Sequence, residues 1–247
     1  MLYDALAPIY DRIMNHVAYE EWIRLIERVI EKYAATRAPS ILELGGGTGV
    51  LAGLLMRRGF RCVVTDRSFA MCSEAHRRKA APAVCADALA IPAKGPFDLM
   101  LFLYDGINYL QSLDEYEHLF AEAARCLAPG GLFLFDITTE ANSMHHFLDY
   151  LECDDWGDYA YIRRSYYNRD TRQQHNDITI FRQIGEDPRF YEKFVEHHSQ
   201  RVFSAQAIAG AVPVDHFSIQ GIWDGYSFRE HRSQSERIHF LLKKHAL

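Results

Sequence analysis

The chain has 247 residues, 49% hydrophobic and 24% charged, which is ordinary globular usage and enough for one large α/β domain with a sizeable core, but not for a second full domain. The net charge of -6 argues against a general affinity for nucleic acid, whose phosphates demand a basic footprint. No apolar run approaches the length of a bilayer span, and acids and a proline occupy the first dozen residues, so membrane insertion and secretion are not expected. The five cysteines include no C-x-x-C pair, which suits reduced thiols in a cytoplasm better than a disulfide framework or a zinc site.

In chain order, Tyr19, Trp22, Ile23, Ile26, Val29, Ile30 and Tyr33 recur at helical spacing and predict a helix docked through one apolar face. Residues 41–49 then read ILELGGGTG: a short apolar strand, then glycines at Gly45, Gly47 and Gly49 before the helix-like VLAGLLMRR. Glycine tolerates positive φ and lets another molecule approach the backbone, so this turn predicts ligand contact, with a bare strand-to-helix turn as the alternative. A dinucleotide fingerprint needs a glycine at the sixth position counted from Gly45, where Val50 stands, and no Gly-Lys-Ser/Thr follows for a P-loop.

RCVVTD is a β-branched strand ending in Asp66, at the distance where doubly wound folds place a ribose-binding carboxylate. Its other reading is a cap for the helix starting near Arg67. Arg77, Arg78 and Lys79 read as a solvated helix face. AVCADA is a brief third strand, and FDLMLFLY after Pro96 is apolar throughout, as a strand covered on both faces must be. Its end, Tyr104 to Asn108, should face a ligand, although Asp105 and Asn108 could instead cap a helix over residues 113–127. LAPGG stops that helix before strand GLFLFDIT. Across residues 145–202, DYAYIRRSYYN, DITIFRQI and RFYEKFVEHHSQRVF predict three antiparallel strands, the first two joined by the polar RDTRQQH. A short helix near Ser204–Ala211 and strands FSIQGIWDGYSF and ERIHFLLKK complete the chain.

Glu43, Gly45, Gly47 and Gly49 match E/D-x-G-x-G-x-G, motif I of the class I S-adenosylmethionine-dependent methyltransferases, residue for residue. YDGINYL resembles the D-x-x-N-Y-L segment of small-molecule members similar to the nucleotide-amino-sugar N-methyltransferases and glycine N-methyltransferase, and RCLAPGGLFLFD resembles another family hallmark. The resemblance spans the chain, most closely over residues 40–137. It implies a doubly wound, Rossmann-like α/β fold with a seven-stranded, mostly parallel sheet and a final antiparallel strand. One methyltransferase domain over 1–247 is expected: a helical lid at 1–35, a core at 36–144 and 203–247, and a small antiparallel β insertion at 145–202. In relatives such an insertion packs over the cofactor end of the sheet and shapes the acceptor pocket, and sometimes forms a homodimer contact. A purely structural flap is the alternative.

The resemblance also implies the cofactor, S-adenosylmethionine, with S-adenosylhomocysteine as product. Its binding set here is Glu43, Gly45, Gly46, Gly47, Thr48, Gly49, Asp66, Arg67, Asp87, Ala88 and Tyr104. Glu43 organises the loop and the ammonium group, and Asp87 with Ala88 lies beside the adenine amino group unless Asp87 is only an exposed loop residue. YDALAPIYDRIM resembles a tyrosine-containing lid, and Tyr10 is preferred to Tyr3 as the catalytic tyrosine because it lies nearer the docked helix. Either could be ordinary packing.

Methyl transfer depends mostly on positioning, worth about 7–11 kcal/mol, in a dry pocket. A base is needed only for a protonated acceptor, and Tyr10, Asp105 and one of His197 or His198, with His197 placed first, are the catalytic candidates. Asn108, Tyr109, His198 and Arg201 are the substrate candidates. Adjacent strand residues point to opposite faces, so at most one of His197 and His198 enters a given pocket. No metal is expected: neither Asp105 nor Asp136 is followed by Asn, and no histidine spacing matches a ligand motif. The function expected is methyl transfer to a small molecule at nitrogen or oxygen, without nucleic acid or membrane as partner. The alternatives are an RNA or protein methyltransferase, or a noncatalytic cofactor-binding protein.

Overall fold

The computed structural model describes residues 2–78 and 80–246. The chain opens with short turns over Ala7–Ile9 and Met14–His16 flanking helix α1 (Tyr10–Ile13), followed by α2 (Tyr19–Tyr33). Helix α2 forms where the apolar spacing predicts it. Glu20 and Glu21 sit in its first turn, where the helix dipole favours acids, and Trp22, Ile23, Leu25, Ile26, Val29 and Ile30 are buried.

Strand β1 (Ser40–Leu44), helix α3 (Val50–Arg57), strand β2 (Arg61–Asp66), helix α4 (Phe69–Arg77), strands β3 (Ala83–Cys85) and β4 (Phe97–Phe102), helix α5 (Leu113–Cys126) and strand β5 (Leu127–Thr138) alternate in doubly wound order. Ser68 and Ser112 cap α4 and α5 by accepting the N–H groups of Met71 and Glu115. Asp66, Asp105 and Asn108 are therefore not the caps of those helices. Arg77 and Arg78 pair with Glu74, and Arg78 also pairs with Asp11, tying the N-terminal segment to α4. Lys79 lies outside the described residues.

After β5 come α6 (Glu140–His146), β6 (Asp149–Asp155), β7 (Tyr159–Asn168), β8 (Gln173–Gln183), β9 (Tyr191–Arg201), α7 (Ala205–Ala211), β10 (Phe217–Asp224) and β11 (Arg237–Lys244). The large sheet has the order β10-β11-β5-β4-β1-β2-β3, with β11 antiparallel to both neighbours. This is the expected seven-stranded architecture. Alternate residues of β4 and β5 feed two hydrophobic layers. Leu99, Leu101, Leu132 and Leu134 meet α2 and α3 on one face, while Met100, Phe133 and Phe135 meet Tyr116 and Phe120 of α5 on the other.

Three features depart from the sequence reading. The second sheet has four strands, β6-β7-β8-β9, rather than three, and α6 runs across the expected boundary at residue 144. β5 also begins directly at Leu127, so LAPGG lies within the strand, with a register irregularity against β4, instead of forming a separate turn. The N-terminal segment packs on this second sheet through Leu6, Ile9 and Ile13 against Tyr161, Ile178 and Ile180.

Candidate active site

The order of the large sheet reverses between β1 and β4, and ligands of open α/β folds lie beyond the carboxyl ends of strands at such a point. A cavity of about 1230 Å³ lies there, bounded by the loops after β1, β2, β3 and β4, by the N-terminal segment, and by the inner face of the second sheet.

Gly45 and Gly47 line the cavity with φ of 59° and 56°. A Cβ on Gly45 would lie 2.8 Å from the Phe102 ring, so only glycine lets the loop pass here. Asp66 fixes the loop from β2: its Oδ2 accepts the Gly47 N–H at 2.9 Å and its Oδ1 accepts the Ser68 N–H at 2.8 Å. Burial raises the Asp66 carboxyl above its ordinary range, while those two N–H groups pull it back. Asp87 Oδ1 accepts the Leu89 N–H at 2.9 Å, its Oδ2 lies 3.5 Å from Arg67 Nε, and Ala88 adjoins it on the wall.

The remaining residues of the glycine motif stand behind this wall. Gly46 and Gly49 do not line the cavity. Thr48 is buried and donates to Asp11 Oδ1 at 2.6 Å, so it anchors the N-terminal segment. Glu43, 5% exposed, lies beneath Gly46 and its Oε2 has no hydrogen-bond partner. Burial pushes its carboxyl up to about 8 against the pull of the Ala52 N–H, and the nearby Asp66 adds to the rise. These four residues thus stand behind the cavity wall and support the turn from there.

Beyond β4, Tyr104 and Asp105 both hold positive φ, 63° and 50°, a strained state for residues other than glycine and one that clusters at functional sites. Asp105 lines the cavity with both carboxylate oxygens engaged, Oδ1 with Arg237 Nη2 at 3.1 Å and Oδ2 with Gln200 Nε2 at 2.6 Å. Arg237 also pairs with the fully buried Asp136 and lies over the rings of Tyr104 and Trp22, 5.0 and 5.4 Å from their centroids. Burial raises both carboxyls and Arg237 lowers them. Burial, with Arg237 close by, pushes His239 down to about 3, so its ring is neutral. This carboxylate–guanidinium–carboxylate cluster makes Asp105 a fixed part of the floor rather than a free base.

Asn108 is fully buried and off the cavity wall. Its Oδ1 accepts the Thr138 N–H at 3.0 Å and its Nδ2 donates to the Arg201 carbonyl at 3.0 Å, bracing the turn after β4 against the ends of β5 and β9. Arg201 turns its guanidinium onto Phe203, 5.6 Å from the ring centroid, and not into the cavity. His197 lies on the outer face of the second sheet, with its side chain 72% exposed and Nδ1 2.8 Å from Asp177 Oδ1. These three positions depart from the sequence expectation. For the histidines the strand alternation holds, and His198, 2% exposed, is the inward one.

Around His198 the structure gathers Tyr3 and Tyr109, and Tyr10 completes the lid side. Tyr3 Oη is 2.6 Å from Tyr109 Oη, which is 3.0 Å from His198 Nδ1. His198 Nε2 is 3.0 Å from Glu196 Oε2. Glu196 also accepts the backbone N–H groups of Tyr3, Ala5 and Leu6 at 2.7, 2.8 and 3.2 Å. Tyr10 contributes its ring, edge-on to Tyr3 at 5.8 Å, and burial raises its phenol well above its ordinary value. Nearness to α2 favoured Tyr10, but Tyr3 is the tyrosine whose hydroxyl joins the polar chain. Neither Glu196 nor Arg237 carried a sequence signal beyond its place in a strand.

On the rim, His145 Nδ1 and His146 Nε2 both meet Glu236, at 2.7 and 3.0 Å, clasping α6 to the start of β11 with all three groups exposed. On the roof Arg163 Nη2 lies 3.0 Å from Glu152 Oε2, and its guanidinium lies over Tyr150.

A doubly wound sheet whose glycine turn and strand-end carboxylates open onto one deep cavity defines the class I S-adenosylmethionine-dependent methyltransferases. Comparison with known proteins agrees. The family model for the methyltransferase domain matches residues 14–209, and the chain belongs to that family. It is similar to "Putative methyltransferase YqeM" of Bacillus subtilis (strain 168), 28% identical over 99% of this chain and 98% of that protein. Among solved structures, an S-adenosylmethionine-dependent methyltransferase from Clostridium acetobutylicum ATCC 824 superposes with a TM-score of 0.80 at 26% identity, covering 99% of this chain and 100% of the other. The sugar N-methyltransferase KedS8 from Streptoalloteichus sp ATCC 53650 shares the fold, with a TM-score of 0.76 at 18% identity over 99% and 93% of the two chains.

Proposed function

We propose that this enzyme transfers the methyl group of S-adenosylmethionine to a small-molecule acceptor, at nitrogen or oxygen, and releases S-adenosylhomocysteine. The observation that carries this reading is the span of one cavity, from Gly45, Gly47, Asp66 and Asp87 at one end to Tyr3, Tyr109 and His198 at the other. At about 1230 Å³ it exceeds the roughly 300–1,000 Å³ that accommodates one drug-sized ligand, which supports room for two reactants.

The residues present fit the cofactor. Each Asp66 oxygen accepts one N–H and keeps a lone pair for a ribose hydroxyl. Asp87 and Ala88 take the adenine edge, with Arg67 at its rim. Gly45, Gly47 and Tyr104 receive the amino acid end, supported from behind by Glu43, Gly46, Thr48 and Gly49. When bound, the cofactor supplies an electrophilic methyl group on a sulfonium, which leaves as a thioether. The chain's own work is to hold the acceptor in line, worth about 7–11 kcal/mol when the geometry is right, and to exclude water by closing the N-terminal segment onto the second sheet. The whole chain acts as one catalytic unit with lid, core and insertion; no described helix is long and apolar enough to cross a membrane, and the five cysteines are free thiols, which suits a reducing cytoplasm.

Titration calorimetry with S-adenosylhomocysteine tests the cofactor end. Asp66→Ala should weaken binding at least tenfold, since a hydrogen bond to a charged group contributes about 1.5–3 kcal/mol. Gly47→Val should do the same, because a β-branched residue resists its positive φ. Unchanged affinity in both folded variants would overturn the assignment.

A further inference from the structure

We propose that Tyr3, Tyr109, His198 and Glu196 form a one-way proton relay, in which the Tyr3 hydroxyl takes the proton of the acceptor and His198 stores it. The proposal rests on the methyl-transfer reading above and adds to it the base and the way the base is assembled.

The direction of the relay follows from the hydrogen-bond inventory of its members. Glu196 accepts three backbone N–H groups of the N-terminal segment. Burial works to raise its carboxyl, but His198 and the Ala5 and Tyr3 N–H groups hold it below its ordinary range, so it is ionised and only accepts. His198 Nε2, 3.0 Å away, must then carry a proton and donate. In the neutral ring Nδ1 is consequently the acceptor, and Tyr109 donates to it at 3.0 Å. With its proton committed to His198, Tyr109 must accept from Tyr3 at 2.6 Å. Tyr3 is left with oxygen lone pairs and no outgoing proton of its own, on the wall of the cavity.

The step balances. The acceptor nitrogen or oxygen forms a bond to the methyl carbon, and the carbon–sulfur pair stays on sulfur. The acceptor's proton passes to Tyr3 Oη as the Tyr3 proton passes to Tyr109 and the Tyr109 proton to His198 Nδ1. The resulting imidazolium lies against the Glu196 carboxylate. No tyrosinate need persist, which matters because burial, first of all, raises both phenols well above their ordinary values. The other groups facing His198 are Asn176, its cross-strand neighbour on β8, and the Tyr3 ring at 4.6 Å. Asp105 acts on the two tyrosines from the floor.

Glu196 also couples the relay to closure. The carboxylate that orients His198 also clasps the backbone of Tyr3, which sits at φ 65°, a left-handed state that is unfavourable for a residue other than glycine. The base therefore exists only when the N-terminal segment is seated. Tyr3 is the catalytic residue, and Tyr109, His198 and Glu196 are positioning residues that act through it.

The test uses the full chain and two readouts. Transfer from isotopically labelled S-adenosylmethionine into a small-metabolite extract is followed by mass spectrometry between pH 6 and 9 for wild type, Tyr3→Phe and His198→Gln. General-base catalysis contributes roughly 10²–10⁴-fold, so both variants should lose about 100-fold or more near neutral pH. The deficit should narrow as pH rises and solvent takes over the proton, with S-adenosylhomocysteine affinity kept. Tyr3→Phe keeps the ring and the backbone N–H, which separates the relay from packing. Equal rates and equal pH profiles in wild type and Tyr3→Phe would overturn the relay. An inactive wild type that also fails to bind S-adenosylhomocysteine would instead overturn the methyl-transfer reading. Independently of any acceptor, ¹⁵N-imidazole NMR, assigned through His198→Gln, should show His198 protonated at Nε2 with an Nδ1 signal that moves in Tyr109→Phe. A proton on Nδ1, or an unmoved signal, would overturn the relay.

Discussion

Replacing Glu43 with Gln should stabilise the protein, and by an amount that depends on pH. The side chain is buried beneath the glycine turn with Oε2 unpartnered, and burial moves its carboxyl from an ordinary 4.5 to about 8. The folded state therefore binds this proton more tightly than the unfolded chain. Stability that depends on the protonated form is intact below the unfolded value and is lost progressively as pH rises through the folded value. At about 1.36 kcal/mol per unit, the full cost of ionisation is on the order of 5 kcal/mol by pH 8 and close to nothing at pH 4.5. Glutamine keeps the shape and a carbonyl acceptor for the Ala52 N–H while removing the titration. Urea unfolding of both proteins at half-unit steps from pH 5 to 8.5 should show curves that coincide at the acid end and diverge with rising pH, with the variant more stable. Parallel curves, or a variant less stable at pH 8, would refute the reasoning that an unpartnered buried carboxyl lies under the turn.

Three other outcomes follow from the same geometry. Asn108→Ala leaves the Thr138 N–H and the Arg201 carbonyl without their partner; at roughly 1–3 kcal/mol per orphaned group it should cost about 2–6 kcal/mol, visible as a lowered Tm. Arg237→Met strands Asp105 and Asp136 without their guanidinium and should cost about 3–5 kcal/mol. That loss should be larger at pH 8 than at pH 5, because two unpaired buried carboxyls favour their protonated forms; denaturant unfolding at the two pH values checks both the size and the sign. His197→Ala, on the outer face of the second sheet, should leave methyl transfer unchanged and shift stability by no more than about 0.5 kcal/mol, as measured by the extract assay and a thermal melt.

What could be read from the sequence is what short-range physics determines. The apolar strands, the docked helix and the glycine turn each carry their evidence within a dozen residues, and all of them stand in the structure. Strand β6 was missed because DYLECDD is acidic and nearly all exposed; it is held by pairing with β7, where Arg163 and Arg164 meet Glu152 and Asp149. That is a nonlocal reason, which a strand pattern does not record. Helix α6 is seven residues long and depends on the Thr139 cap. The site divides the same way. Gly45, Gly47, Asp66, Asp87 and Tyr104 lie at or just after strand ends and line the cavity. The chain of contacts around His198 joins Tyr3 to Tyr109 and Glu196, partners 106 and 193 residues apart. The parity of β9, which decides between His197 and His198, depends on pairing with β8 and not on the local string VEHHSQR.

The central claim, methyl transfer from S-adenosylmethionine to a small molecule, is tested most directly by incubating the wild-type protein with the methyl-labelled cofactor and a small-metabolite extract and reading all fractions by mass spectrometry. The account predicts the label in at least one small-molecule product, on nitrogen or oxygen, with S-adenosylhomocysteine formed in equal amount. Label confined to RNA or protein substrates, or cofactor bound tightly with no transfer to any metabolite, would contradict it.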